Sequence, residues 1–188
     1  MPSLEARTGV VLLAAGQGKR FGGAKLMANF RGRPLWELAA QTAETIDLGE
    51  RVLVVGPNSA ISSRPGWRLV ENPEAEKGMG TSIAAGVRSL TDCDRVLVML
   101  ADMPLVSRAH LARLIAAQDV AFTSYPDGTA GCPAIFPSSA FPQLEGLSGE
   151  RGARSLKFAG PEMISPSQYR ELADVDTARD LAKLTTEP

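Results

Sequence analysis

Residues 10–26, VVLLAAGQGKRFGGAKL, place a glycine-rich turn and the cations Lys19, Arg20 and Lys25 directly behind an apolar run. Glycines let backbone amides approach a ligand closely. Clustered like charges repel: at an effective dielectric near 20, a unit pair about 4 Å apart is worth about 4 kcal/mol. Two readings fit, a tight turn with a solvated basic face and a cradle for a polyphosphate. The stretch is not a P-loop, because Gly18-Lys19 is followed by Arg20. As a dinucleotide fingerprint, Gly16 and Gly18 fit, but Phe21 occupies the third glycine position. The second strand then ends in Val55-Gly56, with no acid for a ribose hydroxyl.

The second candidate chemistry lies in the acids. A buried-looking strand over 95–100 runs into Ala101-Asp102-Met103-Pro104, which aims Asp102 at the rim where the glycine turn emerges. Mg²⁺ is commonly held by one or two carboxylates plus substrate phosphates, so Asp102 suits a metal as well as a turn. Asp174 and Asp176, in ADVDTARDL, offer a second carboxylate. Pattern alone favours a plain turn for Asp176, ahead of a helix capped at Thr177. EKGMGTS, residues 76–82, fits either a loop with an N-cap or a site whose amides and hydroxyls read a nucleobase or a phosphate.

His110 is the only histidine and is expected to be partly exposed on a helix, without chemistry. Cys93 and Cys132 are expected to be structural; Cys132 has no histidine base nearby in sequence. Neither zinc spacing nor a Gly-x-Ser-x-Gly elbow occurs in the sequence.

The elements that must position these groups follow from patterning. Continuous apolar runs at 9–15, 51–55 and 95–100 predict strands buried on both faces of a parallel sheet. Helices are expected over 34–46, over 81–90 with Thr81 and Ser82 as cap candidates, and over 107–118 behind Ser107. VAFTSY and CPAIFP read as further strands, SGERGARSLKFAG as a loop leading into a short helix, and LADVDTARDLAKL as a short strand or turn entering a helix. This alternation predicts an α/β fold, a Rossmann-like doubly wound and mostly parallel sheet with its ligands beyond the strands' carboxyl ends. One domain over 1–188 is expected, with a nucleotide-binding half at about 8–120 and an acceptor-binding half at about 121–188.

A net charge of −1 supplies no global basic field, so nucleic acid and anionic membrane are not expected partners. The N-terminus lacks a signal-peptide pattern and the apolar runs are too short to span a bilayer. With isolated cysteines, this predicts a cytoplasmic protein.

In series, these motifs resemble the nucleotidyltransferases of the molybdenum-cofactor group. The cytidylyltransferase branch is the nearer, with the guanylyltransferase as its sister. LLAAGQGKRFGGAKL, GMGTSIAAGV, LADMP, GCPAIF, LSGERGARSL and DVDTARDL follow in the family's order over nearly the whole chain. The resemblance implies the fold of nucleotide-diphospho-sugar transferases, a nucleoside triphosphate (CTP favoured over GTP), Mg²⁺ and pyrophosphate release. It further implies molybdopterin as acceptor and a molybdoenzyme as possible partner. It puts the backbone of Leu13, Ala14, Ala15 and Gly16, together with Gly18, against the nucleotide. Arg20 and Lys25 would hold phosphates, Gly80 and Ser82 would select the base, and Asp102 and Asp176 would bind the metal.

Three departures stand out: Ala101 where the family usually has glycine, Ala130-Gly131-Cys132 where the branch shows arginine, glycine and histidine, and TARDL in place of a proline-containing helix start. The second motivates another acceptor, a sugar phosphate or alditol phosphate. A non-catalytic nucleotide-binding accessory protein is a further alternative. A nicotinamide oxidoreductase is disfavoured by Phe21 and the missing ribose acid.

Overall fold

The computed structural model describes residues 6–16, 18 and 20–186. Its centre is strand β1, Thr8–Ala14, in which all seven residues are buried. Val10 and Leu12 pack into the core on one face, Val11 and Leu13 into the core on the other. Each such side chain contributes about 1.5–3 kcal/mol on burial, so a strand covered on both faces anchors the sheet.

A two-stranded hairpin follows, β2 (Asn29–Phe30) with β3 (Arg33–Pro34), and then helix α1 (Leu35–Glu44). The chain continues through β4 (Arg51–Val55), β5 (Arg68–Glu71), α2 (Met79–Arg88) and β6 (Arg95–Leu100). After α3 (Arg108–Ala116) come β7 (Ala121–Ser124), β8 (Ala130–Pro137), α4 (Phe141–Glu145), β9 (Glu162–Ile164) and α5 (Ala178–Thr186). Seven strands form one sheet in the order β5-β4-β1-β6-β8-β7-β9. β1 pairs in parallel with β4 and β6, and β4 with β5, while β8 runs antiparallel to both β6 and β7. The mostly parallel, doubly wound sheet expected from the apolar runs is the observed one.

Helices α1 and α3 cover one face through Trp36, Ala40, Leu111 and Leu114; α2 and α4 cover the other through Ile83, Val87 and Leu144. Gly86 allows α2 to lie close on the sheet, since a Cβ there would sit 2.3 Å from Val11 Cγ1. A third cluster joins the hairpin to the C-terminal segment through Phe30, Leu35, Val175 and Leu184. Two backbone bonds then gather the strand ends, from Ala101 N–H to the Leu13 carbonyl at 3.0 Å and from Val175 N–H to the Asp102 carbonyl at 3.0 Å.

Two sequence expectations need correction. Thr81 and Ser82 do not cap α2. The helix starts at Met79 behind Gly78, whose φ of 119° suits glycine, and both hydroxyl residues are buried inside it. His110 is not partly exposed but 1% exposed, its Nε2 lying 2.8 Å from Thr123 Oγ1. Thr123 donates its only proton to the Pro133 carbonyl at 2.6 Å, so His110 Nε2 carries the hydrogen and α3 is tied to β7 and β8. Burial holds the imidazole pKa below its ordinary value, against the opposing influence of Glu171.

Ser107 does cap α3, accepting from His110 N–H at 3.1 Å. Thr177 enters α5 as a reciprocal cap: its N–H donates to Asp180 Oδ2 at 2.8 Å, and Asp180 N–H donates to its Oγ1 at 3.2 Å. The short helix expected after SGERGARSLKFAG's loop is one 3-10 turn, Ala153–Ser155. β5, β9 and the β2–β3 hairpin were not legible in the apolar pattern, because each is short and lies at an edge or outside the main sheet.

Candidate active site

A groove runs along the carboxyl ends of β1, β4 and β6, divided into three connected chambers. The central one, about 390 Å³, is walled by Gly16, Gly18, Arg20, Lys25, Asp102 and Asp176. Its neighbour on the β4 side, about 480 Å³, is bounded by Gly56, Asn58 and Ile61 and shares Ala15, Gly16 and Lys25 with it. On the other side a chamber of about 250 Å³ is lined by Tyr125, Cys132, Arg151 and Arg154, and shares Met79, Leu100 and Glu150 with the central one. Volumes of this order suit a small ligand in each.

Lys25 is the hub. It sits in a short 3-10 turn, Lys25–Met27, directly behind the glycines. Its side chain is 9% exposed, and Nζ lies 2.7 Å from Asp102 Oδ2 and 3.1 Å from Asp176 Oδ1. Burial alone would lower the ammonium's pKa; Asp102 and then Asp176 outweigh that and hold it above its ordinary value. Arg20 Nη1 reaches Asp176 Oδ2 at 3.3 Å with its side chain 81% exposed, so this pair contributes little to stability and leaves the guanidinium available. Asp102 Oδ1 is buried and has no hydrogen-bond partner among the described residues. A buried carboxylate oxygen without a donor is costly, and at the mouth of a cavity it is a coordination position that the fold leaves open. Asp102 and Asp176 therefore fit a hard divalent cation as a two-carboxylate set completed by substrate oxygens. Among the described residues no cluster of three or more potential metal ligands occurs.

The glycine segment folds back on itself as a turn. Gly18, with φ 59°, turns the chain back so that its carbonyl accepts from Phe21 and Gly23 N–H at 2.9 and 3.3 Å. A Cβ on Gly16 would meet nothing within 4 Å, so the backbone there lies open to the groove. Lys19, the third cation of the motif, lies outside the described residues.

Leu13, Ala15, Gly16, Gly18, Arg20, Lys25, Ser82, Asp102 and Asp176 all wall the central chamber, and Ala14 walls its β4-side neighbour. Gly80 differs. Its N–H donates to the Gly149 carbonyl at 2.9 Å, and a Cβ there would lie 3.0 Å from the Ser148 and Gly149 backbone. It holds the 148–152 loop against α2. Asp174 stands near the hub, and burial, then Asp102 and Asp176, push its pKa up. Cys132 lines the third chamber with its thiol pushed up to about 12 by burial, which fits a structural role rather than a nucleophile. Sequence reasoning missed Glu76, Glu150, Tyr125, Arg151 and Arg154 as groove walls. Only the turn residues around them carried a signal.

The profile of the MobA-like NTP transferase domain matches residues 10–162. The chain belongs to this family. Its class is that of nucleotidyltransferase enzymes. The MobA-like chain is 33% identical over 189 residues to purine catabolism protein PucB of Bacillus subtilis (strain 168), covering 90% of this chain and 92% of that one. It is 32% identical over 192 residues to nicotine blue oxidoreductase of Paenarthrobacter nicotinovorans, covering 93% and 94%. Among solved structures, Rv0371c of Mycobacterium tuberculosis H37Rv superposes with a TM-score of 0.82 at 23% identity, over 97% of this chain and 100% of that one, which is a likeness of fold. Another structure of that protein is a complex with manganese. No described helix of the MobA-like chain is long and apolar enough to cross a membrane.

Proposed function

We propose that this chain transfers a nucleoside monophosphate from a nucleoside triphosphate, CTP favoured, to the phosphate of molybdopterin, releasing pyrophosphate. The observation that carries the reading is Lys25 set between Asp102 and Asp176, beside an Asp102 oxygen with no partner among the described residues, in the central chamber behind the glycine turn. The motif series points to the cytidylyl branch; the family description supports an NTP donor.

An acceptor phosphate oxygen attacks the α-phosphorus in line, the bond from that phosphorus to the bridging β-oxygen breaks, and the electron pair leaves with pyrophosphate. The acceptor is already ionised, so no general base is required, in keeping with His110 being buried away from the groove. The backbone of Leu13–Gly16 and Gly18 seats the nucleotide, while Lys25 and Arg20 swing from the carboxylates to the phosphates as negative charge arrives. Mg²⁺ held by Asp102 and Asp176 would neutralise charge on the reacting phosphates. The manganese complex of Rv0371c is consistent with a divalent-ion site in this fold.

The β4-side chamber takes the nucleoside. The chamber of Tyr125, Arg151 and Arg154, largely from the 121–188 half, takes the acceptor. With two free cysteines, the cytoplasm is the fitting compartment, and a molybdoenzyme would receive the product.

A second reading is favoured by one observation, the name of the nicotine blue oxidoreductase relative. Phe21 in the third glycine position and the absence of an acid at Val55-Gly56 weigh against a nicotinamide site here. The deciding assay follows pyrophosphate with Mg²⁺, molybdopterin, and CTP, GTP, ATP or UTP in parallel, with NADH and NADPH absorbance as the control. Release with CTP that requires molybdopterin is expected. Binding of CTP without release would turn the search to sugar-phosphate acceptors or to a non-catalytic role.

A further inference from the structure

The ladder between β7 and β8 breaks at one point. Phe122 pairs with Ala134, but the next residue, Thr123, pairs with Gly131, so Cys132 and Pro133 stand out of register as a bulge in β8. A bulge bends its strand and leaves backbone groups without ladder partners. Here side chains take both carbonyls. Tyr125 Oη donates to the Cys132 carbonyl at 3.0 Å, and Thr123 Oγ1 to the Pro133 carbonyl at 2.6 Å. Behind Thr123, His110 Nε2 completes the chain at 2.8 Å.

The bulge is also a wall of the third chamber, which Tyr125, Gly131 and Cys132 line. The Tyr125 ring lies against Gly131, where a Cβ would come within 2.5 Å of its Cε2. Its place is therefore set by the bulge beneath the ring and by the bond from its hydroxyl. His110 lines none of the three chambers. Among the described residues its Nδ1 is buried without a partner. A leucine would fill that place without leaving a buried nitrogen bare, so packing does not account for the imidazole. What the imidazole supplies is the Nε2 hydrogen.

We infer that His110 and Thr123 are positioning residues that act on the acceptor through the β8 bulge, holding the Cys132 wall and the Tyr125 ring in place from outside the groove. The inference rests on the third chamber being the acceptor's. It adds that affinity for the acceptor, and not for the nucleotide, depends on these two buried side chains. Without the Thr123 hydroxyl, the Pro133 carbonyl and the His110 N–H are both left buried and unpaired. The two residues out of register can shift to relieve this, whereas the paired ladder on either side resists. A shift there draws the Cys132 carbonyl from Tyr125 and frees the ring. The glycine turn follows β1, which β6 separates from β8, so the nucleotide side stays as it was.

Thr123→Val and Thr123→Ser test this as a pair, since serine keeps the hydroxyl and valine does not. In the pyrophosphate assay Thr123→Val should raise KM for molybdopterin about 10-fold, with kcat and KM for CTP within about twofold of wild type. Thr123→Ser should stay close to wild type in all three. Alkylation by iodoacetamide, read by mass spectrometry, gives a second measure, because Cys132 sits in the bulge and Cys93 before β6 at the other end of the sheet. In Thr123→Val the Cys132 rate should rise at least about 5-fold relative to Cys93, the mark of a local opening. His110→Leu leaves the bond from Thr123 to Pro133 in place and should show the same split at smaller size, even if Thr123→Val fails to fold. An unchanged KM for molybdopterin, equal rises in both thiol rates, or a Thr123→Ser as impaired as Thr123→Val would overturn the inference while leaving nucleotidyl transfer standing. A wild-type protein that releases no pyrophosphate with any phosphorylated acceptor would instead overturn the transfer reading, and this inference with it.

Discussion

The two ends of the central sheet each hold an acid among cations, and they treat it oppositely. At the amino end, Glu50 precedes β4. Its Oε1 accepts from Thr91 N–H and Oγ1, both at 2.8 Å, and from Asp92 N–H at 2.7 Å, while Oε2 pairs with Arg68 at 2.8 Å. Burial would raise its pKa, but these donors outweigh that and hold it at about 2. At the carboxyl end, Asp102 closes one oxygen on Lys25 and leaves the other buried and bare. An acid with all its bonds made staples one loop to a strand. An acid with a bond left open forgoes stability and holds a position for a ligand. The contrast sets a charge whose bonds are all made against one that keeps a bond open.

The sharpest way to break that comparison is to neutralise the open acid. Asp102→Asn is expected to cut pyrophosphate release at least about 10²-fold, while circular dichroism and a cooperative melt show the fold retained. Near-normal turnover would remove Asp102 from the chemistry. Next in size is the closed acid. Glu50→Ala should cost about 2 kcal/mol, lowering the melting midpoint by about 4–8 °C, with turnover at 25 °C within about twofold of wild type. A turnover loss matching that of Asp102→Asn would erase the distinction between the two ends.

The smallest effect is on pH. Glu50 has a folded pKa below its ordinary 4.5, so its stabilisation is complete above that value and is lost as pH falls towards about 2. His110 is held below its ordinary 6.5, so its contribution also begins to fall in acid, starting below that pH. Urea midpoints from pH 7 to 3 should decline in wild type, with a shallower fall below pH 4.5 in Glu50→Ala. Parallel curves for the two proteins would mean that Glu50 is not the acid that titrates.

Sequence legibility followed the same division. β4 and β6 were legible to the residue and β1 to within one, because a strand buried on both faces must be apolar throughout. Glu50 was not legible: an acid before a strand looks like any surface acid until Thr91 and Asp92 close on it from a segment 41 and 42 residues away. Thr81 and Ser82 read as caps because hydroxyls near a helix start usually are. Here Asn72 draws them inside and Gly78 takes the terminal position. His110 looked exposed because its helical stripe was judged from Leu111 and Leu114, whereas Thr123 on the neighbouring strand gave its polar edge a buried partner. Of the groove, the glycine turn, Lys25 and Asp102 were visible from local pattern. Asp176 gained its place at the hub only from resemblance, until Val175 bonding to the Asp102 carbonyl brought it there.

The amino-acid sequence by itself determined the central strands, their parallel arrangement, and the concentration of glycines, cations and an acid at one rim. These depend on continuous hydrophobicity and on turn chemistry, which are local properties. Only the tertiary structure decided which charges meet, which oxygen of Asp102 stays open, and that Asn72 binds the Thr81 and Ser82 hydroxyls. Those outcomes depend on pairing and hydrogen-bond polarity between segments as far apart as Lys25 and Asp176, and no local pattern encodes them.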